Sequence, residues 1–266
     1  MNREQLRGHL VASRIAGEVA TTRENNLTNF ARMSRRDPSY LFGLRPAGSW
    51  TPADVLRLMV ERVGVHPDPR YAAGVDTIDP DKTLDRLDAM AARLRGAAQR
   101  RERVLVATGH PAGVFAIHAE LARALAGAGC TLLTPAAGWS FLNQAGHRRE
   151  IRHLAGVAVV SDRGELNHTH SPRPMEAMLA ELAHHGEAAP DLVVADHGYA
   201  GAAGQAGVAT VGFADCNDPA LFVGEAEGRI EVTVPLDDNV LPHLYAPITG
   251  YLLSQFPVSQ QSQPSP

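Results

Sequence analysis

Asp191 to Asp218 reads DLVVADHGYAGAAGQAGVATVGFADCND, and its alternation of apolar runs with polar turns decides the fold. Leu192 to Ala195 is an apolar run short enough for a buried parallel strand. Asp196, His197 and Gly198 follow directly. From Tyr199 to Gly207 only Tyr199 and Gln205 are larger than Ala, so a helix here can approach a neighbour or a ligand closely. Ala209 to Ala214 makes a second strand, and it too ends in polar residues: Asp215, Cys216, Asn217 and Asp218. In open α/β sheets ligands gather at the carboxyl ends of strands, where both polar clusters fall.

The same rhythm extends to either side. Val104 to Ala107 predicts a strand, Thr108-Gly109-His110-Pro111 a turn, Val114 to Ala126 an amphipathic helix, and Cys130 to Leu133 the next strand of a right-handed βαβ unit. Gly138 to Arg149 is irregular, a helix or a loop over the sheet edge. Gly156 to Val160 predicts a third strand, followed by Ser161-Asp162-Arg163-Gly164 and Asn167-His168-Thr169-His170-Ser171-Pro172. Pro174 to His185 fits a helix, Ile230 to Pro235 a last strand, and Tyr245 to Phe256 a C-terminal helix. Upstream, apolar residues at Leu6, Leu10, Val11, Ile15 and Val19 have helical spacing. Thr51 and Pro52 open a further helix as N-cap and first helical residue. Asp81 to Gln99 predicts another, and no strand is expected in the first hundred residues. The expectation is a Rossmann-like three-layer α/β sandwich with a mostly parallel sheet over residues 103–256. An N-terminal helical portion over residues 1–102 covers one face or caps the site, and a disordered Pro/Ser-rich tail occupies residues 257–266.

Composition narrows the function. With 25 Lys and Arg against 29 Asp and Glu, the net charge of −4 gives no basic face for nucleic acid or an anionic membrane. Two cysteines cannot build a disulfide framework, which suits a reducing cytoplasm. The charged N-terminus lacks the apolar run of a secretory signal, and no stretch approaches the ~20 residues that span a bilayer. A soluble cytoplasmic protein is expected, with homo-oligomerisation left open.

Residues able to bind metal or phosphate follow four of the expected strands. They are His110; Asp162 with His168 and His170; Asp196 with His197; and Asp215 with Asn217 and Asp218. On parallel strands these turns share one rim, and a rim of carboxylates and imidazoles can hold a divalent cation against a phosphoryl group. Spaced two apart, His168 and His170 would point the same way from an extended loop. Thr108 and Gly109 offer a hydroxyl and an amide to phosphate. The alternative for each Asp is a helix cap, a role that suits Asp218 before Pro219; Asp237-Asp238 read as a cap for the final helix, although Asp237 could reach the rim. There is no GxxxxGK loop, no GxGxxG fingerprint, no GxSxG elbow and no HExxH, so nucleotide-loop, NAD, serine-hydrolase and zincin chemistry are not indicated. Cys216 has no phosphate loop around it and is expected as a small buried residue.

The segments TGHP (108–111), HTHSP (168–172), DHGYAGAAGQ (196–205), ADCNDPALFVGEAEG (214–228) and VPLDD (234–238), with IDPDKTLDRLDA (78–89), resemble a bacterial family whose members carry the label phosphatase. The resemblance spans most of the chain and implies a hydrolase of phosphate monoesters. The general plan is similar to that of metal-dependent damage-control phosphatases. Three functions are consistent with these residues. The first is a phosphatase dependent on Mg²⁺ or Mn²⁺, acting on a small sugar phosphate or nucleotide-like metabolite. In it Asp196, Asp215, Asn217 and Asp218 hold metal, and His110, His197 and Asp196 carry the chemistry. Thr108, Gly109, His168, His170, Gly201, Gly204 and Gln205 hold phosphate. The second is a metal-free sugar-phosphate isomerase with Asp196 or His110 as proton shuttle, and the third a sugar-phosphate-binding regulator.

Overall fold

The structure, a computed structural model, describes residues 1–143 and 145–256, so the expected tail at 257–266 lies outside the described residues. The N-terminal part comprises α1 (Arg3–Ala12), β1 (Gly17–Thr22), α2 (Arg23–Ser34), α3 (Pro52–Arg62), β2 (Val75–Ile78) and α4 (Pro80–Arg100). The central part follows with β3 (Arg103–Ala107), α5 (Pro111–Gly127), β4 (Thr131–Leu132), β5 (Ser140–Leu142), β6 (Arg148–Leu154), β7 (Val157–Asp162) and β8 (Glu165–Asn167). The last part runs α6 (Arg173–His184), β9 (Leu192–Asp196), α7 (His197–Gln205), β10 (Thr210–Ala214), α8 (Pro219–Ala226), β11 (Val232–Pro235) and α9 (Ala246–Ser254).

A nine-stranded sheet organises the chain, in the order β11-β10-β9-β3-β7-β6-β5, with β4 beside β3 and β8 beside β7. Strands β9, β10 and β11 are buried along their whole length, which is why they read as unbroken apolar runs: a parallel strand has no solvent face. Pairing is parallel from β11 through β10, β9 and β3 to β7 and antiparallel beyond. The chain builds outward from β3 in two directions, to β4 and β7 first and later to β9, β10 and β11. The reversal falls between β3 and β9, and in open α/β sheets the crevice at such a switch point is the usual ligand site.

Two expectations are corrected. The first hundred residues do contain strands: β1 and β2 pair antiparallel in a small sheet of their own. Val19 continues the helical spacing of Leu6 to Ile15, but the helix stops at Ala12 and Val19 is buried from β1. Residues 138–149, expected as a helix or loop, contribute β5 and lead into β6, an antiparallel hairpin on the sheet edge. Their mixed polar sequence fits an edge exposed to water, where apolar patterning is weak.

The N-terminal part is bound to the sheet by packing and by polar contacts. Its buried residues, from Leu6 through Leu94, belong to the same apolar cluster as the strands. The Arg23 guanidinium, fully buried at the start of α2, donates to Asp76 on β2 at 2.8 Å, and Asn26 donates to the same carboxylate oxygen. Losing either partner of such a pair would strand a buried charge, at a cost of about 3–5 kcal/mol. That pair fixes α2 to β2, while Thr21 Oγ1 donates to Asp215, the Ala20 amide to Asp237 and Asn29 to the Asn217 carbonyl, which hold α2 and β1 beside the carboxyl ends of β10 and β11.

The arm that carries the two closely spaced histidines arises from β7. It pairs with β3 only as far as Ala107 opposite Ala158 and then runs past the end of β3 to Asp162, still paired with β6 as far as Ser161. Arg163 and Gly164 both have positive φ, +52° and +94°, as a two-residue type I′ hairpin turn requires. Strand β8 then returns antiparallel, Asn167 opposite Val160. His168-Thr169-His170 is thereby laid across the end of β3, where the Thr169 amide donates to the Gly109 carbonyl at 2.8 Å.

Candidate active site

Four histidine rings meet at the switch point. His110 and His168 are stacked, 4.5 Å between centroids and 9° from parallel. His197 lies 5.0 Å from His168 and 4.9 Å from His170. The His168–His170 arm can lie this low because two residues beneath it have no side chain. A Cβ on Gly109 would sit 2.4 Å from the Thr169 carbonyl oxygen, and one on Gly198 2.3 Å from that of His170. Gly109 therefore acts through close packing as well as through its amide.

Opposite the rings lies a cluster of carboxylates. Asp215 follows β10, and Asp237 and Asp238 follow β11; one oxygen from each lies within 4.8 Å of the others, and all three residues are buried. Asp215 accepts from Thr21 Oγ1 on β1 and from the Cys216 amide, both at 2.6 Å. Asp237 accepts from the amides of Ala20 and Asn239. Burial, then the charges of Asp238 and Asp237, push the Asp215 carboxyl well above the usual carboxylate range; burial likewise raises Asp237. Asp238 bridges to the rings, its oxygens 3.1 Å from His110 Nδ1 and 3.6 Å from His197 Nε2.

Rings and carboxylates enclose a pocket of about 300 Å³. Its walls include Asp218, Asn217 and Asn239 from the sheet side and Thr21, Asn25, Asn29 and Tyr40 from the N-terminal part. Asn29 donates to the Asn217 carbonyl at 3.0 Å. No Lys or Arg lines the pocket among the described residues.

Asp196, expected as a metal ligand, is turned beneath the pocket. Its carboxylate accepts from Thr108 Oγ1 and the Gly109 amide, each at 2.5 Å, and contacts His197 Nδ1 at 2.9 Å. His118 Nε2 lies 3.7 Å away. These partners occupy both oxygens, and Asp196 belongs to none of the candidate ligand groups among the described residues. It ties the end of β9 to the turn after β3 and fixes the His197 ring. Thr108 is likewise spent on Asp196 rather than presented to phosphate.

His197 adopts a left-handed backbone, φ +46°, sparsely populated by residues with a Cβ and tolerated where the surroundings enforce it. Burial opposes its charge, yet its bonds to Asp196 and Asp218 raise its pKa well above the ordinary imidazole value. Asp218 lies 3.3 Å from His197 Nε2 and makes no capping bond to α8. Burial also opposes protonation of His110, and Asp238 outweighs it, raising His110. Crowding out of water, and then the neighbouring rings, push His168 down to about 3 and lower His170 in the same way. The surroundings thus favour the protonated form of two rings, His110 and His197, and the neutral form of the other two.

Gly201, Gly204 and Gln205, expected at phosphate, lie elsewhere. A Cβ on Gly201 would meet the Phe42 carbonyl oxygen at 2.1 Å, and one on Gly204 the Arg229 carbonyl oxygen at 2.6 Å. Gln205 accepts from the Arg45 amide at an exposed position. The small residues of α7 serve close packing between chain segments. Cys216 is buried and its thiol is raised by burial and by Asp215, as a structural residue would be.

Asp238 was missed as a site residue, although the signal was present: it follows a strand in the same way as Asp215. Thr21, Asn29 and Tyr40 carry no local signal, whereas Asn25 belongs to the polar run Arg23 to Asn26, one of the stretches of the N-terminal part most able to face the site.

A parallel sheet whose switch point bears paired imidazoles and carboxylates is equipped to handle a charged, oxygen-rich substrate. The chain belongs to the family described as Phosphatase, whose model matches residues 1–260. It is 48% identical over 256 residues to Phosphatase SCO2771 of Streptomyces coelicolor, a match covering 96% of each protein. No helix among the described residues is long and apolar enough to cross a membrane.

Proposed function

We propose that this phosphatase depends on a divalent cation and hydrolyses a small phosphate monoester, of the sugar-phosphate or nucleotide-like kind. The observation that carries this reading is the charge of the pocket. Asp215, Asp218 and Asp238 line it with no Lys or Arg among the described residues, so a phosphate dianion would find little permanent positive charge. Asp215, Asp237 and Asp238 fit a cation well. Their oxygens converge and they are buried, and burial, then the charges of Asp238 and Asp237, raise the Asp215 carboxyl. An all-oxygen donor set suits Mg²⁺ or Mn²⁺, which would supply there the positive charge that a phosphoryl group needs. The two other candidate groups, His110 with His168 and His197, and His170 with His197 and Asp218, offer mainly imidazole donors, a set that suits Mg²⁺ and Mn²⁺ less well.

The chain's own groups complete the reading. His197, whose protonated form Asp196 and Asp218 favour, has both ring nitrogens facing carboxylates and so acts on the phosphoryl group through its charge. His110 turns Nδ1 toward Asp238, 3.1 Å away, leaving Nε2 to protonate the departing oxygen. Neutral His168 and His170 can accept a proton from water. Asn25, Asn29 and Tyr40 close the pocket from the N-terminal side and limit it to a small phosphorylated group. The same reading carries the finer description of the fold as a Rossmann-like three-layer sandwich, supported by the parallel strand order and the position of the switch point.

The test is release of phosphate from p-nitrophenyl phosphate with Mg²⁺ or Mn²⁺, before and after chelation by EDTA. Turnover that survives complete chelation rejects the cation. Chelator-insensitive isomerisation of a sugar phosphate, without phosphate release, would favour the metal-free isomerase instead.

A further inference from the structure

A second cavity, of about 540 Å³, adjoins the first and shares His168 and His170 with it. Its charge is the reverse of the inner pocket's. It is lined by Arg149 and Arg173 and, among the described residues, by no Asp or Glu. In a chain with a net charge of −4, two guanidiniums facing one groove form a local positive field next to a carboxylate-rich one.

Two polar atoms in this groove are buried without a hydrogen-bond partner among the described residues: Arg149 Nη1 and Asn167 Oδ1. Buried donors and acceptors are nearly always matched, so an unmatched pair in a groove calls for a ligand or water. Asp162 approaches Arg149 no closer than 3.8 Å, which steadies the guanidinium without satisfying it. Arg173 is held over the Phe141 ring at 4.9 Å and near the Trp139 ring at 5.9 Å. It spends one nitrogen on the Leu142 carbonyl at 3.4 Å. Stacking of this kind leaves the remaining N–H groups directed for planar, bidentate contact with a carboxylate or phosphate.

Resting on the phosphatase reading of the inner pocket, we infer that the groove binds the leaving-group half of the substrate, and that this half carries a second anionic group. The scissile phosphoryl group lies among Asp238, His110 and His197. The alcohol leads out past His168 and His170, and its carboxylate or second phosphate meets Arg149 and Arg173. Asn167 Oδ1 accepts from a hydroxyl between the two ends. The preferred substrates are therefore phosphorylated hydroxy acids or bisphosphates, rather than monoesters of neutral alcohols.

Matched pairs test this: glycerol 1-phosphate against 3-phosphoglycerate for a carboxylate, and fructose 6-phosphate against fructose 1,6-bisphosphate for a phosphate. The wild-type enzyme should favour the doubly charged member by roughly tenfold or more in kcat/KM, the effect of one or two charge-assisted hydrogen bonds. R149Q and R173A should shrink that ratio through KM, with R149K, which keeps the charge and the fold, falling between. Equal kcat/KM within both pairs, or R149Q lowering kcat for both members alike, overturns the inference. Should no ester be turned over, the inner-pocket reading has failed and the groove is still decided by binding. In a W50F background, Trp139 fluorescence should respond to 3-phosphoglycerate with an affinity that drops at least tenfold in R149Q. An unchanged affinity overturns the groove independently of catalysis.

Discussion

Asp238 Oδ1 lies 3.1 Å from His110 Nδ1, and this contact joins the carboxylate half of the site to the imidazole half. It brings together the end of β11 and the turn after β3, the two sides of the switch point. It also raises the pKa of His110 against the opposing effect of burial.

D238N should therefore damage both halves at once. Without the carboxylate, His110 loses the partner that raises its pKa, and its protonated fraction at neutral pH falls. The expected result is a loss of about 10²–10⁴-fold in kcat, the usual size of a general-acid contribution. The alkaline limb of the rate profile should also move to lower pH. A kcat–pH profile that keeps its alkaline limb in place would remove His110 as the acid.

Binding of a cation to the folded chain alone must stabilise it by mass action, by about 2.7 kcal/mol at a hundred times Kd. Mn²⁺ added to EDTA-treated protein should raise the Tm in proportion to the logarithm of its concentration. D215N, which removes one buried oxygen ligand, should abolish most of that rise. Calorimetry on the two proteins is the check, and equal shifts would rule out Asp215 as a ligand.

Gly198 has room for no Cβ, since the His170 carbonyl oxygen would be 2.3 Å away. G198A should lift the His168–His170 arm from α7 and separate His168 from His110. Overpacking of this kind costs about 1–3 kcal/mol, so the chain should still fold by circular dichroism. Activity should fall by roughly tenfold or more, in line with the sensitivity of catalysis to small misplacements. Unchanged kcat would mean that the arm does not position the rings.

Glu227, far from the site, reports on acid stability. Its carboxylate accepts from the Ala47 and Gly48 amides and from Trp50 Nε1. Burial opposes its charge, yet these donors hold its pKa below the usual value of 4.5. A depressed carboxyl contributes stability that is fully present above its unfolded pKa and is lost as pH falls through the folded one. The Tm gap between wild type and E227Q should accordingly be widest near neutrality and narrow below about pH 4.5. A gap independent of pH would show that the hydrogen-bond geometry matters and the charge does not.

Much of this site was legible residue by residue. The spacing of His168 and His170 placed both rings in one pocket, and the position of Asp215 and Asp218 after β10 brought them to the same rim as His110 and His197. Asp196 was misjudged in role because its carboxylate points beneath that rim. The small residues of α7 gave the right helix for a different purpose, since Gly201 meets the Phe42 backbone and no phosphate. β1 escaped notice because a short strand in a two-stranded sheet buries too little to leave a periodic stripe, and Val19 happened to continue the spacing of α1.

The sequence alone determined the parallel core and the turns that hold the reactive groups. Burial on both faces forces an apolar run, and its abrupt end at polar residues marks the edge of the sheet. Only the tertiary structure decided which of those residues reach a ligand. Strand register pairs Asp196 with Phe213, so Asp196 lies two residues deeper in the sheet than Asp215, under the pocket floor. Register comes from contacts between β9 and β10, and no local pattern in either strand encodes it.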